Sequence, residues 1–384
     1  MSDTIATVID AKHGVEIGTE IIWNYVDRYR RPTLFVVNQI DHPNANFDDA
    51  FKSIKSLVGN NAVQIQYPLK LDGAQCIVDV LKMKCYKFGP DGGKPEKLEI
   101  PDDQKDLANK LHNELVEKAA ENDEELLELF FDKGTLNEDE MRQGIKAGML
   151  NHELFPVFCV SALNDMGTGR LMGFIDNVAP AAADLKPEQT LEGVELEPTV
   201  SPPTVLFVFK TLHLQNLGQV TYFKVKSGEI KEGSRLTNSR TGEVEIVNQL
   251  YIMDGKKREQ VDKLTVGDIG ATLKLKSTET NDTLYSGNKS VTIKPIQYPD
   301  PRIVKSVNAV NKNDEEKLID ALKKIHSQDP TVINRYSKES KQQLVGCQGE
   351  LHLATIKWTL KHLYGVEATF TKRKINYRET IQRP

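Results

Sequence analysis

Two short polar runs could do chemistry if the fold brings them together. The first is Asn38-Gln39-Ile40-Asp41, which follows the apolar run Leu34–Val37 without a break. The second is Ser161-Ala162-Leu163, at the end of the apolar run LFPVFCV. A carboxylate at the mouth of a buried strand can accept hydrogen bonds from two adjacent N–H donors, and the N1/N2 edge of guanine offers such a pair. Adenine does not, and would leave Asp41 unpaired, a cost large enough to give discrimination. Asn38 could brace the loop and touch the base edge, and backbone amides of residues 161–163 could reach guanine O6. Each run also has a plainer reading. Asn and Asp favour turns because their side chains bond nearby backbone amides, and Asn-x-x-Asp arises by chance in a chain of this length. Ser161 could cap the helix that follows it. The pair of loops is harder to obtain by chance than either alone.

The elements that must position these runs read as a parallel α/β sheet. Ile5–Asp10 is a buried strand. The next segment carries Ile21, Ile22, Trp23 and Val26 at helical spacing, with Thr19 as its cap. Leu34–Val37 is a second strand. Phe47, Phe51, Ile54 and Leu57 repeat as a helix, the run from Leu154 is a third strand, and RLMGFIDNV follows as a helix. Strand–helix alternation places ligand loops at the C-terminal ends of parallel strands. Between the second and third strands lies a large excursion. It holds strand-like VQIQYPL and CIVDVLKMKCYKF, then a charged helical region with ENDEELLELFF. That acidic run reads as a solvated helix face before a metal site.

Residues 181–204 are rich in Pro, Glu and Ala and read as a linker. Short β-rich runs punctuated by glycine then fill 205–297, the pattern of an antiparallel β-barrel. Residues 298–384 read as an α+β unit in ferredoxin-like order. The domain expectation is therefore 1–64 with 153–180 for the nucleotide-type sheet, 65–152 for its insert, then linker, barrel and ferredoxin-like unit.

Bulk properties narrow the classes. The chain has 384 residues, 39% apolar and 27% charged, with a net charge of −5. The acidic balance argues against bulk attraction to nucleic acid while leaving room for local basic patches. No run approaches the roughly 20 apolar residues of a membrane span, and MSDTIATVID lacks a signal-peptide pattern. Four scattered cysteines without a C-x-x-C pair suit free thiols in a reducing, cytoplasmic setting.

The motifs taken together resemble a known family. VIDAKHGVEIGTE, FVVNQID and VSALNDMG look like the second half of a translational GTPase G domain. The insert, the barrel run GQVTYFKVKSGEIKEGSRL, and GCQGELHLATIKWTLKHLYGVEATF with NYRET resemble the successive parts of the elongation factor G family. The resemblance implies a multidomain α/β and β fold: part of a P-loop-type G domain with a large insert, a β-barrel and a ferredoxin-like domain. It implies a GTPase that moves tRNA and mRNA on the ribosome, with GTP or GDP and Mg²⁺ bound by the intact protein. The partners expected are the ribosome, through rRNA and ribosomal proteins, and a guanine nucleotide. A monomer with no membrane association is expected.

By matching position, Asn38, Gln39 and Asp41 fall on the family's guanine-specificity loop, and Ser161, Ala162 and Leu163 on its second base-contacting loop. Gln39 departs from the family's usual Lys, whose cation lies over the base, so some stacking stabilisation should be missing. No G-x-x-x-x-G-K-[ST] phosphate loop occurs in the sequence, and no D-x-x-G-H switch precedes the first strand. The expectation is an internal segment of a longer chain, without catalytic or metal-ligating residues of its own and inactive alone as a GTPase. The alternatives are a ribosome-binding paralogue with weakened or lost hydrolysis, or a ribosome-protection factor. His352 reads as structural or as a partner contact, and His326 and His362 as exposed helix residues. The basic clusters Thr371–Lys374 and Lys256–Arg258, the latter expected in a barrel loop, could meet rRNA phosphates or simply be solvated.

Overall fold

The computed structural model describes residues 1–214, 218–255, 257–375 and 379. Lys256 and most of the NYRET tag lie outside the described residues. The chain divides into two compact units, residues 2–185 and residues from 186 onward.

The first unit opens with β1 (Ile5–Asp10), α1 (Ile17–Arg28), β2 (Thr33–Asn38), α2 (Phe47–Val58) and β3 (Ala62–Gln64). An antiparallel sheet follows: β4 (Gln66–Leu71), β5 (Ala74–Asp79), β6 (Lys84–Gly89) and β7 (Gly92–Leu98). Helices α3 (Lys105–Ala120), α4 (Glu124–Lys133) and α5 (Glu138–Asn151) come next, then β8 (Phe155–Cys159) and α6 (Thr168–Asn177). The parallel sheet has the order β1-β2-β8-β3. Strand β2 is apolar because both its faces are covered: Leu34, Phe35 and Val37 are fully buried, as are Val157, Phe158 and Cys159 of β8. The sequence pattern shows three parallel strands. The fourth, β3, has only three residues, too few to show a period, and its pattern runs on into the antiparallel strands after it. The acidic run is α4, capped by Asp123, whose carboxylate accepts from the Glu125 and Leu126 amides.

Helix α1 departs from its expected face. Glu16, not Thr19, is the N-cap, and Thr19 lies inside the first turn. Ile21 and Ile22 are 53% and 51% exposed, while Val26 is buried and Trp23 packs inward. β1 is the edge strand of the described sheet, so the outer part of α1 has no strand beneath it. Trp23 stacks on the ring of His152 at 5.5 Å, and His152 meets Phe155 edge-on at 4.9 Å. His152 is buried, and its Nδ1 lies 3.2 Å from the Arg31 carbonyl. Burial, then the Arg30 charge, hold its pKa below 6.5 against the opposing pull of Asp27. The unfolded imidazole therefore takes up its proton first as pH falls. The unfolded state binds more protons below about pH 6.5, so stability must drop there and be restored above it. Thermal unfolding between pH 5 and 8 should show this slope, and His152→Asn, which tolerates the positive φ of 63° at this helix end, should flatten it while lowering stability overall.

The second unit begins inside the stretch read as linker, which carries structure of its own. Glu188–Gln189 and Glu195–Leu196 pair as a small hairpin, and Leu196 packs in a cluster with Val205, Phe207, Val291 and Ile293. The glycine-punctuated region is an eight-stranded antiparallel half-barrel whose outer strands, Val244–Val247 and Lys257–Val261, are not paired to each other. Lys257 and Arg258 sit on that outer strand and not in a loop, and Arg258 lies over the Tyr251 ring. The last part runs strand Ile303–Ala309, α7 (Glu315–Gln328), strands Ile333–Ser337 and Gln342–Cys347, α8 (Glu350–His362) and strand Ala368–Lys372. Its antiparallel sheet places the second strand outermost, beside the third, then the first, then the fourth, which is the ferredoxin-like order. His352 is structural: its Nδ1 accepts from the Gln348 amide and its Nε2 lies 3.2 Å from Asp329. All four cysteines are buried free thiols.

Candidate site at the ends of the second and eighth strands

The parallel pairing of β2 with β8 decides the site. Val37 stands opposite Cys159, so the chain leaves both strands at the same level of one sheet edge. Two further backbone bonds carry the pairing outward: the Val160 amide donates to Val37 at 2.8 Å and the Ile40 amide to Val160 at 3.4 Å. Asn38 Oδ1 then accepts from the Ala162 amide at 3.0 Å. Asn164 Nδ2 donates to Asp41 Oδ2 at 3.0 Å. The two polar runs are thus tied at two points, although 123 residues separate Asp41 from Asn164.

The second loop is held from within. Ser161 is fully buried and exchanges two backbone bonds with Met166, each 2.9 Å, and its hydroxyl accepts from the Asn164 amide at 3.3 Å. Ser161 thus closes the turn, and the N-cap of α6 is Gly167. Leu163 is 88% exposed and Ala162 is exposed beside it. In the first loop Ile40 is buried as an anchor and Gln39 is exposed with a φ of 64°. Asp41 Oδ1 is enclosed yet has no hydrogen-bond partner. A buried carboxylate oxygen without a partner is costly.

Two residues that position the loops were not singled out from sequence. Asn164 orients Asp41. Gly92, at the start of β7, has a φ of 70°, and a Cβ there would stand 1.4 Å from the Asn164 carbonyl oxygen. The neighbouring Gly93 amide donates to the Asp165 carbonyl at 3.2 Å. The tip of the inserted sheet therefore buttresses the 161–166 loop. Gly92→Ala should cost about 1–3 kcal/mol through overpacking and an unfavourable positive φ, and should speed amide exchange at Asn164 and Asp165. Unchanged melting and exchange would remove this buttress from the account.

On the neighbouring strand β1, Asp10 accepts from the Lys12 amide at 2.8 Å, and that bond is the main stabiliser of its carboxylate, whose pKa lies below the usual value. Among the described residues no group of three or more His, Cys, Asp or Glu side chains could hold a metal ion.

Comparisons with known proteins follow the same division of the chain. The family model described as "Elongation factor Tu GTP binding domain" matches residues 1–181, "Elongation factor G domain 2" matches 203–287, and "Elongation Factor G, domain III" matches 298–372. A curated elongation factor G from Thermotoga petrophila is 32% identical over 389 residues, which takes in 100% of this chain and 56% of that protein. This chain is elongation factor G-like. A crystal structure from Thermus thermophilus superposes with a TM-score of 0.85 at 25% identity, covering 99% of this chain and 55% of that one. The elongation factor G-like chain thus spans about half the length of the relatives it matches. Its α/β and β multidomain architecture, with a G domain followed by a β-rich half-barrel, agrees with that structural neighbour. Both polar runs fall within the matched GTP-binding domain.

Proposed function

We propose that this chain reads guanine and works as part of a GTP-hydrolysing elongation factor that moves tRNA and mRNA on the ribosome. The observation that carries the base-reading part is the enclosed, unpartnered Asp41 Oδ1 in a loop locked to the 161–166 turn. Guanine fits that arrangement: its N1–H and N2–H donors face a carboxylate, with Oδ1 wholly free and Oδ2 keeping a second lone pair beside Asn164. Asn38 holds the loop through Ala162. The Ala162 amide is already engaged, so a base oxygen arriving there must share or exchange that bond, with Ser161 and Leu163 fixing the turn around it. Gln39 lies exposed where a long side chain can cover the base. It offers no cation, which weakens the cover without touching selectivity.

The division proposed is 1–64 with 153–180 for the G domain, 65–152 for its insert, 181–204 for the connection, 205–297 for the second domain and 298–384 for the third. The exposed Thr371–Lys374 run suits contact with rRNA phosphates, and four buried thiols suit the cytoplasm. The test is titration of the full chain with guanosine and adenosine, followed by NMR, in the native sequence and in Gln39→Lys. Guanosine should bind selectively in both, and more tightly in the variant by about two- to fivefold, the scale of one exposed cation–π contact. Equal affinity for the two nucleosides would refute the reading.

A further inference from the structure

A cavity lies in the first unit between the inserted sheet and the start of α6, on the far side of the Gly93–Asp165 contact from Asn164. Its volume is about 680 Å³. Ile77, Tyr86, Phe88, Pro95 and Met172 give it apolar walls. Its polar lining is unusual because it is unfinished. Gln66 is 1% exposed, lines the cavity, and its Oε1 has no partner. Arg170 also lines it, and its Nη2 is enclosed without a partner. The two are linked by geometry: Gln66 stands directly across the β4–β5 ladder from Asp79, and the Asp79 carboxylate binds Arg170 Nε. An orphan acceptor and an orphan donor therefore flank one buried carboxylate.

The end of α6 adds open donors. Its N-cap is Gly167, with a φ of 77° and no room for a Cβ, which would meet the Cys159 carbonyl and Ile77 Cδ1 at 2.8 Å. No side chain caps the first turn, so its amides stay available. The charges in the lining balance. Arg170 is paired with Asp79 behind the wall, and Lys94 and Asp165, which also binds the Thr168 hydroxyl, contribute one charge of each sign to the lining. With Arg170 neutralised by Asp79 and one further charge of each sign, a lining with apolar walls suits a neutral molecule better than an ion.

We propose that this cavity is a binding site for a small neutral heteroaromatic carrying a cis-amide, with adjacent N–H and C=O. The Gln66 and Arg170 side chains turn toward the ligand so that its N–H meets Gln66 Oε1 and its carbonyl meets Arg170 Nη2 or the first amides of α6, and the ring fills the apolar walls. The volume lies within the ordinary range for small-molecule sites.

The test uses 2-quinolinone as probe and its N-methyl derivative as control, each titrated into the full chain and followed by saturation-transfer NMR. The probe should bind saturably, and the control about tenfold more weakly for want of the N–H. Gly169→Leu, at a position with open space around its Cβ on the cavity wall, should abolish binding without harming the helix. Gln66→Met should erase the difference between probe and control. Absence of saturable binding, equal binding of the two compounds to the native chain, or binding that survives Gly169→Leu would each overturn the site.

Discussion

Asp41→Asn should exchange guanosine for xanthosine. The Asp41 carboxylate uses Oδ2 for Asn164 Nδ2 and leaves Oδ1 unpartnered. In the variant the amide oxygen keeps the Asn164 bond, which leaves the NH₂ group where the unpartnered oxygen was. A donor then faces guanine N2–H, and the lost bond plus the clash of donors should weaken guanosine by about tenfold or more. Xanthine carries a carbonyl at that position and should gain by a similar factor. NMR titration with both nucleosides measures the switch. Guanosine affinity that survives the substitution would place the base elsewhere.

The largest effect on stability is expected at Arg170→Met. Asp79 is fully buried, with Arg170 Nε on one oxygen and the Lys82 amide on the other at 2.8 Å. Removing the guanidinium leaves a buried charge with one neutral donor. Breaking such a pair costs about 3–5 kcal/mol, a large share of the roughly 5–15 kcal/mol typical of a domain. Asp79→Asn combined with Arg170→Met should recover most of the loss, because the pair as a whole is worth far less than the penalty of leaving half of it. Urea unfolding followed by Trp23 emission, in a Trp358→Phe background, reports on this unit. A single substitution costing under about 1 kcal/mol, the scale of an exposed pair, would show that water reaches Asp79.

The parts legible in the sequence are those set by local pattern. The continuous apolar runs at Leu34–Val37 and Phe155–Val160 announce buried parallel strands, and the polar residues just beyond them announce the loops. The βαββαβ order of the last part can be read for the same reason. Non-local partners cannot. Asn164 looks like any turn Asn until the fold sets it beside Asp41, and Asp79 inside CIVDVL gives no hint of Arg170, 91 residues later. Gly92 reads as a turn glycine, and only the packing of the inserted sheet shows why a side chain is forbidden there. Ile21 and Ile22 mislead because periodicity marks an apolar face without saying how much of it a neighbour covers.

The central claim is that Asp41, held by Asn164, reads guanine. The Asn164 side-chain amide is the direct reporter, since it donates to the carboxylate proposed to receive the base. Its ¹H–¹⁵N resonance should move saturably on addition of guanosine, move little with inosine, which lacks the 2-amino group, and stay still with adenosine. A resonance that ignores guanosine, or responds alike to all three nucleosides, would contradict the account.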